Sequence, residues 1–382
     1  MFQSFGMTRP HASSTSPSTA SPTAAVASAH PTPGRAAGGN PANRYDRLTV
    51  VAEDDGWDPG EAPPPLRTET RIERPRTAIT RNSSPDLPFD RSVNPYRGCE
   101  HGCIYCFARP SHAWLGLSPG LDFESRLIAR PEAPRLLAEE LSRRGYRPAT
   151  LAIGTNTDPY QPIERTHRVM RGLLEVLRDF RHPVAVVTKG ALIERDLDLL
   201  AELAELELVR VGISVTTLDR DLSRRLEPRA PAPERRLQTI ERLAAAGVPV
   251  RAMVAPVIPG LTDPELEAIL TRARDAGAVA ASWIMLRLPL EVEPLFRDWL
   301  AENCADRAER VMARLCEIHG GKAYRSGWGH RMRGAGPHAD MIAQRFRLVT
   351  ARLGLAVTQT GLSTELFRVP PRSGDQDRKR VG

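Results

Sequence analysis

The feature that most constrains this chain is a cluster of cysteines in a glycine-rich stretch, residues 94–107, which read NPYRGCEHGCIYCF. The three cysteines, separated by three and then two residues, are Cys99, Cys103 and Cys106. The whole chain has five cysteines, so composition alone does not explain the cluster. Gly98 and Gly102 can adopt positive φ without steric cost, which allows the backbone to curl and the thiols to converge. The spacing therefore predicts one metal centre on this loop.

Three kinds of cysteine site compete for this loop. A disulfide is disfavoured, because disulfides are typical of exported chains with an even number of wider-spaced cysteines. Zinc could take His101 or His112 as a fourth ligand, although structural zinc sites usually combine two cysteine pairs and no second pair occurs here. An iron–sulfur cluster usually has four cysteine ligands, so three would leave one iron open for a reactive ligand. On the residues alone, the iron–sulfur and zinc interpretations both stay open.

Composition favours a folded intracellular protein. The chain has 382 residues with 41% hydrophobic content, enough for one large domain with tails or two small domains. It contains no apolar run of about 18 residues and no apolar segment typical of a signal peptide, so neither a membrane span nor export is expected. Few, clustered cysteines indicate a reducing compartment, and we expect a cytoplasmic protein.

The net charge of +7 suggests nucleic acid as a partner, but much of the excess lies in the tails. Residues 1–45 contain three arginines and no acid, and residues 370–382 contain four basic residues against two acidic ones. The segment between them is nearly balanced. Any surface that binds nucleic acid must therefore be local.

The ends of the chain lack the apolar residues that a core needs. Residues 1–45 are rich in Ser, Pro, Thr, Ala and Gly and are predicted to be disordered, because burial cannot offset the entropy of ordering them. Residues 46–90 are Pro-rich and are predicted to be either an extended arm lying on the domain or a solvated linker. Residues 370–382 are predicted to form a disordered tail.

Residues 91–290 alternate between apolar segments typical of strands and amphipathic segments typical of helices. The predicted strands are 91–94, 150–154, 183–188, 208–215, 249–254 and 278–286. The predicted helices are 134–144, 165–179, 195–206, 234–246 and 263–276. Such alternation indicates right-handed βαβ units with parallel strands. We therefore predict an α/β fold, a partial (βα)6 TIM-like barrel.

Residues 291–369 are predicted to form a C-terminal helical cap. Its amphipathic segments are 293–303, 306–319 and 338–353. Between the last two, residues 323–337 read AYRSGWGHRMRGAGP and combine arginines and aromatic residues with glycines. Such a loop suits base stacking and phosphate contact, which makes nucleic acid a candidate substrate, but an ordinary arginine-rich surface loop fits equally well.

Ligands of parallel α/β folds bind at the carboxyl ends of the strands, and polar groups follow several predicted strands here. The second strand is followed by GTNTDPYQPIE (154–164), the third by Thr188, Lys189 and Gly190, and the fourth by Ser214. The fifth runs into APVIPG (255–260). The sequence therefore predicts a ligand site at this edge, next to the cysteine loop.

The motif Cys-x-x-x-Cys-x-aromatic-Cys, with Tyr105 in the aromatic place, resembles the signature of the radical S-adenosylmethionine (SAM) superfamily. The runs VTK (187–189), RLEP (225–228) and VAPVIPG (254–260) resemble its spore-photoproduct-lyase-like branch, also described as DNA repair photolyase-like. The resemblance covers about residues 91–290. It implies a 4Fe-4S cluster with one open iron that chelates SAM, a 5′-deoxyadenosyl radical and a one-electron reductant protein as partner.

The resemblance also implies roles for individual residues. It places Lys189 at the carboxylate of SAM, Ser214 near its ribose, and the backbone from Val254 to Pro256 against its adenine. The residues implied near the methionine amino group and in the aromatic place of the motif are Thr155, Asn156, Asp158 and Tyr105. Ordinary roles remain open beside these. Lys189 could be a solvated strand-end lysine, Ser214 could bond within its strand, and Asp158 could be a turn former.

The chain departs from the lyase pattern at Gly154. The resemblance places a cysteine there that returns a hydrogen atom to the product radical, and glycine has no side chain to do so. The two remaining cysteines, Cys304 and Cys316, lie in the helical region and are predicted to be core residues. Thymine-dimer repair by the lyase mechanism is therefore not expected.

Overall fold

The computed structural model describes residues 32, 34–46, 66–358 and 361–371. The C-terminal residues 372–382 and residues 1–31, both predicted to be disordered, lie outside this part of the chain. So does the segment 47–65 of the predicted arm. No helix in the described residues is long and apolar enough to cross a membrane.

Strands and helices alternate through most of the described chain. The strands are β1 (Glu69–Ile72), β2 (Ile79–Arg81), β3 (Arg91–Val93), β4 (Tyr96–Arg97), β5 (Arg126–Ala129), β6 (Leu151–Ile153), β7 (Val184–Thr188), β8 (Val209–Ser214), β9 (Val250–Val257) and β10 (Ala280–Met285). The helices are α1 (Leu121–Ser125), α2 (Ala133–Leu141), α3 (Glu164–His167), α4 (Val169–Asp179), α5 (Leu197–Glu205), α6 (Arg220–Leu226), α7 (Pro233–Ala245), α8 (Leu266–Asp275), α9 (Val292–Asn303), α10 (Ala305–Ile318) and α11 (Pro337–Leu353).

The main sheet has seven strands in the order β10-β9-β8-β7-β6-β3-β2. All neighbouring strands are parallel except β2, which pairs antiparallel with β3 at one edge. The register places Val184 beside Val209 and Val211 beside Val250. The six parallel strands are those predicted from the sequence, and the α/β class is confirmed.

Burial along the strands explains why these segments form a sheet against helices. In β7, Val184 and Val186 are fully buried while Ala185 and Val187 are only partly buried, so alternate side chains face different environments. The buried side packs against amphipathic helices such as α4, which contributes the buried residues Val169, Met170, Leu173, Leu174 and Leu177. Each fully buried Leu or Val contributes about 1.5–3 kcal/mol to the free energy of folding.

Residues 66–90 lie on the domain as an arm, one of the two alternatives that the sequence left open. β1 pairs parallel with β5, and β5 pairs antiparallel with β4, which gives a second, three-stranded sheet. Sequence patterning did not predict this sheet, because its strands are short and β1 is largely exposed. The small sheet leads directly into the cysteine loop after β4.

Residues 34–46 pack against the domain, which corrects the prediction that all of residues 1–45 would be disordered. Arg35 is 8% exposed and donates to the backbone oxygens of Glu124 and Leu66 at 2.6 and 3.1 Å. The backbone amides of Ala36 and Ala37 donate to the Glu124 carboxylate, each at 3.1 Å. Polar contacts rather than apolar burial fix this segment, so apolar content underestimated its order.

The predicted C-terminal helical region is present as α9, α10 and α11. Helices α9 and α10 contribute to a second core, in which the rings of Phe296 and Trp299 stack with 5.9 Å between their centres. Helix α11 packs on the main core through Ile342 and Phe346. Beyond it, Ala356 forms a parallel bridge with Ala280 of β10. These helices therefore extend the α/β unit.

Candidate active site around the cysteine loop

The cysteine loop runs from β4 to a short 3-10 helix at Arg109–Leu115. It begins where the amide of Cys99 donates to the Phe123 oxygen at 2.9 Å. Two tight turns follow, in which Gly102 N donates to Cys99 O and Cys106 N donates to Cys103 O, each at 3.2 Å. These turns bring all three cysteines onto one curled segment.

Both glycines in the loop are required by its geometry. Gly98 has φ +74°, and a Cβ there would lie 2.9 Å from the Phe123 oxygen. Gly102 has φ +65°, and a Cβ there would lie 2.7 Å from Glu124 Oε2. Any side chain would meet both strain and a close contact. The predicted role of these glycines is therefore confirmed.

A buried arginine that the sequence analysis missed fixes the back of the loop. Arg109 is completely buried and donates to the oxygens of Cys103 and Gly102, each at 3.0 Å. Its charge is matched by Glu124, also completely buried, at 2.5 Å. Sequence alone gives no signal for this pair, because Arg and Glu are usually surface residues.

The three cysteines are free and largely buried. Cys99 and Cys103 are 6% and 8% exposed, and Cys106 is partly buried. Burial raises the pKa of all three thiols, that of Cys103 to about 12. Positive charge in the site is therefore needed to hold them as thiolates. None of them forms a disulfide, so that interpretation has no support.

The donor set fits an iron–sulfur cluster. Three free thiols on one loop can each bind a different iron of a cluster, which requires them to be spread rather than converged on a point. Within the described ranges, no group of three or more His, Cys, Asp or Glu side chains is placed to hold a single metal ion. The alternative of a zinc-binding protein that uses the same cysteines is therefore unsupported.

Lys189 lies beside the cysteine loop, at the carboxyl end of β7. Its ammonium donates to Ser214 Oγ at 3.2 Å and lies 5.9 Å from the centre of the Tyr105 ring. Its charge lowers the pKa of Cys103 and Cys106, against the larger effect of burial. Ser214 in turn donates to the Ala255 oxygen at 2.9 Å. The structure thus brings together Lys189, Ser214 and Tyr105, which the sequence placed in one site.

Asp158 links the loop after β6 to the end of β7 by hydrogen bonds and lies in ionic contact with the cysteine loop. Its carboxylate accepts from Thr188 Oγ1 at 2.6 Å and from the Lys189 amide at 2.7 Å. His101 Nδ1, on the cysteine loop, lies 3.3 Å from the same carboxylate. Burial would raise the pKa of Asp158, but His101 and these hydrogen bonds lower it to about 2. Asp158 therefore acts at least as a fixed anion that clamps the loops together.

The neighbours of Asp158 occupy the same loop. Thr155 and Asn156 are partly buried immediately after β6. Thr157 Oγ1 donates to the Tyr96 oxygen at 2.8 Å and so ties this loop to β4. The loop therefore lies next to the cysteine loop, as predicted, while the roles of Thr155 and Asn156 toward SAM stay predictions.

A buried network links Tyr105 to the end of β8. The Tyr105 hydroxyl donates to Glu227, and Thr216 Oγ1 donates to the same carboxylate at 2.8 Å. Arg236, 1% exposed, donates to Glu227 as well and to the Ser214 oxygen at 3.2 Å. Burial would raise the pKa of Glu227, but Arg236 and then Lys189 lower it to about 2. The sequence analysis left Glu227 without a role, and the structure shows an anion that fixes Tyr105.

The fifth strand end is less regular than the others. Val254 pairs with Trp283 of β10, and its side chain is 1% exposed in the core. The pairing register then shifts before Val257 meets Met285, so Ala255 and Pro256 lie at an irregularity of the sheet. A backbone contact of this segment with adenine stays a prediction.

Gly154 cannot carry any side chain in this fold. It has φ +87°, and a Cβ there would lie 1.9 Å from the Val187 oxygen. Of the other two cysteines, Cys304 is buried between α9 and α10, as predicted for a core residue. Cys316 in α10 is only partly buried, which differs from that prediction.

The loop at residues 323–337 reaches the carboxyl end of β10, where Met285 N donates to Met332 O at 2.9 Å. Its Arg331 is paired with Asp86 of the arm at 2.7 Å, and Trp328 is 53% exposed. Close by, Arg287 follows β10 and stacks on Phe107, the residue after Cys106, at 4.3 Å from the ring centre. Basic and aromatic residues therefore flank the cysteine loop.

Comparison with known proteins agrees with this geometry. Residues 93–273 match the family described as the radical SAM superfamily. The chain is 41% identical over 217 residues to the uncharacterized protein Mb2609c of Mycobacterium bovis, covering 56% of this chain and 64% of that protein. It is 27% identical over 173 residues to the uncharacterized protein MJ0683 of Methanocaldococcus jannaschii, covering 45% and 62%. The chain thus spans less than two thirds of the length of these relatives.

Solved structures show a related fold. Spore photoproduct lyase complexed with dinucleoside spore photoproduct aligns with TM-score 0.56 at 16% identity, covering 75% of this chain and 81% of that chain. A mutant of the lyase aligns with TM-score 0.54 at 15% identity over the same shares. At such low identity the likeness concerns the fold. The family match spans the cysteine loop and four of the six parallel strands, β6 to β9, and it implies a 4Fe-4S cluster and SAM as cofactors. Residues 93–273, which contain the cysteine loop, therefore match the radical SAM superfamily.

Proposed function

We propose that this enzyme holds a 4Fe-4S cluster with Cys99, Cys103 and Cys106 and generates a 5′-deoxyadenosyl radical to act on a substrate not yet identified. The observation that supports this most is the set of three free, buried thiols on one curled loop at the carboxyl ends of parallel strands. Six parallel strands separated by helices are also the arrangement of a partial (βα)6 barrel. When bound, the cluster supplies the electron that cleaves SAM.

The chain's own residues supply positioning and charge. Lys189 would bind the carboxylate of SAM, and the position of its ammonium beside the loop, where it donates to Ser214, supports this role. Tyr105 is fixed by Glu227 and Thr216, so its ring forms a rigid wall next to Cys106. Asp158 and His101 hold the loop after β6 against the cysteine loop. These groups would bind and orient the cofactor with little rearrangement.

The substrate and the partners belong to the same proposal. Nucleic acid is a candidate substrate, supported by the exposed Trp328 beside Arg331 at 5.1 Å and by the basic character of this edge. Because Gly154 has no room for a side chain, hydrogen return cannot use a cysteine at this position. A one-electron reductant protein is the expected partner, and a cytoplasmic location remains a prediction.

Iron binding by cysteine variants tests the ligand assignment. Anaerobically reconstituted wild-type protein should be brown, with absorption at about 400 nm, whereas a zinc protein would be colourless. Changing any one of the three loop cysteines to Ala should remove most of the bound iron, because each supplies one thiolate. Cys316→Ala is the matched control, since Cys316 is a free cysteine outside the loop, and it should leave iron content unchanged. A triple Ala variant that still binds a full cluster would disprove the assignment.

A further inference from the structure

We propose that the substrate of this enzyme carries an anionic group, a phosphate or a carboxylate, and that Arg287 binds this group beside the cysteine loop. The proposal rests on the proposed function in one respect, because it places the substrate at the carboxyl ends of the strands. It goes further by naming a substrate chemistry and the residue that selects for it.

The backbone aims Arg287 at the site. Its two neighbours, Leu286 and Leu288, are 0% and 1% exposed and belong to the second core. Leu286 is also fixed on both sides, since its amide donates to Val257 O at 3.0 Å and its oxygen lies 3.1 Å from His319 Nε2. The Arg287 side chain extends to Phe107, where its guanidinium carbon lies 4.3 Å from the ring centre. The charge is therefore held next to the third cysteine of the loop.

Arg287 has no anionic partner within the described part of the chain. No hydrogen bond or ion pair engages its guanidinium, whereas its neighbour Arg331 is matched by Asp86 at 2.7 Å and also donates to Ser84. Burial is the largest effect on Arg287 and lowers its pKa. The charge of Arg331 acts in the same direction, whereas Tyr324, Cys106 and Asp86 oppose it without forming an ion pair or hydrogen bond with the guanidinium. A partly desolvated cation without an acceptor is unfavourable, so an incoming anion gains a strong interaction there.

The aromatic residues before and after Cys106 in the chain each carry a cation over the ring. Lys189 lies over Tyr105 at 5.9 Å, and Arg287 lies over Phe107 at 4.3 Å. Lys189 is already assigned to the SAM carboxylate, and its ammonium is held by Ser214. Arg287 is thus left for a second anion, and its planar fork suits the two oxygens of a phosphate or a carboxylate.

Saturation-transfer NMR on the reconstituted holoenzyme tests this assignment with two probes, methyl phosphate and acetate. Both probes have methyl protons, and the measurement requires neither turnover nor knowledge of the substrate. Arg287→Ala and Arg287→Gln remove the positive charge. Arg287→Lys keeps the charge but lacks the planar guanidinium with its paired N–H donors. If the Ala variant fails to fold, the Gln and Lys variants provide the same comparison.

Arg210→Ala is the matched control. Arg210 has a buried Nε without a hydrogen-bond partner, and burial lowers its pKa, as it lowers that of Arg287. It lies near the amino end of β8, beside Ala185, and therefore away from the strand ends that hold the cysteine loop. General loss of positive charge would affect this control as much as the Arg287 variants.

We expect wild type and Arg210→Ala to bind at least one probe with equal affinity. Arg287→Ala and Arg287→Gln should bind that probe at least about tenfold more weakly. The affinity of Arg287→Lys should lie between these values. Preference for methyl phosphate would assign a phosphate-bearing substrate, and preference for acetate a carboxylate. Equal binding by wild type and the Arg287 variants would overturn the proposal. It would equally fail if wild type bound neither probe, or if Arg210→Ala lost as much affinity.

A parallel assay separates this proposal from the proposed function. Wild-type protein is incubated with SAM and reductant, and 5′-deoxyadenosine is measured. Probe binding that depends on Arg287 without any deoxyadenosine would contradict the proposed function and leave the anion site standing. Deoxyadenosine formation with probe binding independent of Arg287 would contradict the anion site alone.

Discussion

Arg109 Nη2 lies 2.5 Å from Glu124 Oε1, and both side chains are completely buried behind the cysteine loop. Arg109 donates to the loop carbonyls of Gly102 and Cys103, while Glu124 accepts from the amides of residues 36 and 37. One ion pair therefore connects the N-terminal segment to the loop that would hold the cluster. Breaking such a pair leaves a buried charge without compensation.

Glu124→Ala should therefore destabilise the protein strongly. We expect the free energy of unfolding, measured by urea denaturation, to fall by about 3–5 kcal/mol. The control is Glu139→Ala, which removes the partner of Arg135 in an ion pair whose side chains are each 57% exposed. That change should cost at most about 1 kcal/mol. Similar values for both variants would show that the buried pair does not fix the loop.

Gly154→Ala should be poorly tolerated, because a Cβ would lie 1.9 Å from the Val187 oxygen. Gly145→Ala is the matched control, since Gly145 has φ +82° with nothing within 4 Å of its Cβ position. The control should lose only about 1–2 kcal/mol of unfolding free energy, from backbone strain. Gly154→Ala should lose about 1–3 kcal/mol more, from the steric clash. Equal thermal unfolding midpoints for the two variants would refute the steric account.

The parallel strands were predictable because they are short apolar runs between turn signals, as PVAVVT at 183–188 illustrates. The cysteine loop and Lys189 were predictable because rare residue types mark them. Strand β1 was not, since its side chains are mostly exposed and show no clear apolar alternation. The sequence did not predict the buried residues Arg109, Glu124 and Arg236. Charged residues are usually exposed, and the sequence does not show which of them have a buried partner of opposite charge.

Glu227 should make stability dependent on pH in the acidic range. Arg236 and Lys189 overcome the effect of burial and lower its pKa from 4.5 to about 2. A carboxyl whose pKa is lowered by folding stabilises the protein above its unfolded pKa, and that contribution is lost as pH falls from about 4.5 toward 2. In urea denaturation, Glu227→Gln should be less stable at pH 7 and should show a flatter loss of stability across this window. If the variant and wild type lost unfolding free energy with falling pH at the same rate, folding would not lower the pKa of Glu227.

Lys189 should affect cofactor binding without affecting the cluster. Lys189→Ala should leave iron content unchanged and weaken SAM binding by about 1.5–3 kcal/mol, or roughly tenfold to a hundredfold, since one charge-assisted contact is lost. Lys189→Arg should restore binding only in part, because the guanidinium is larger and planar. Titration of SAM at matched cluster loading gives the comparison. The same affinity in all three proteins would return Lys189 to the role of a solvated strand-end lysine.

The central claim is that this loop supports reductive cleavage of SAM, and one measurement tests it most directly. Reconstituted wild-type protein is incubated anaerobically with SAM and a strong one-electron reductant, and 5′-deoxyadenosine and methionine are quantified. The account predicts both products even without substrate, because the cofactors carry the chemistry and the protein supplies their positions. Protein with a fully loaded cluster that forms no 5′-deoxyadenosine would contradict it.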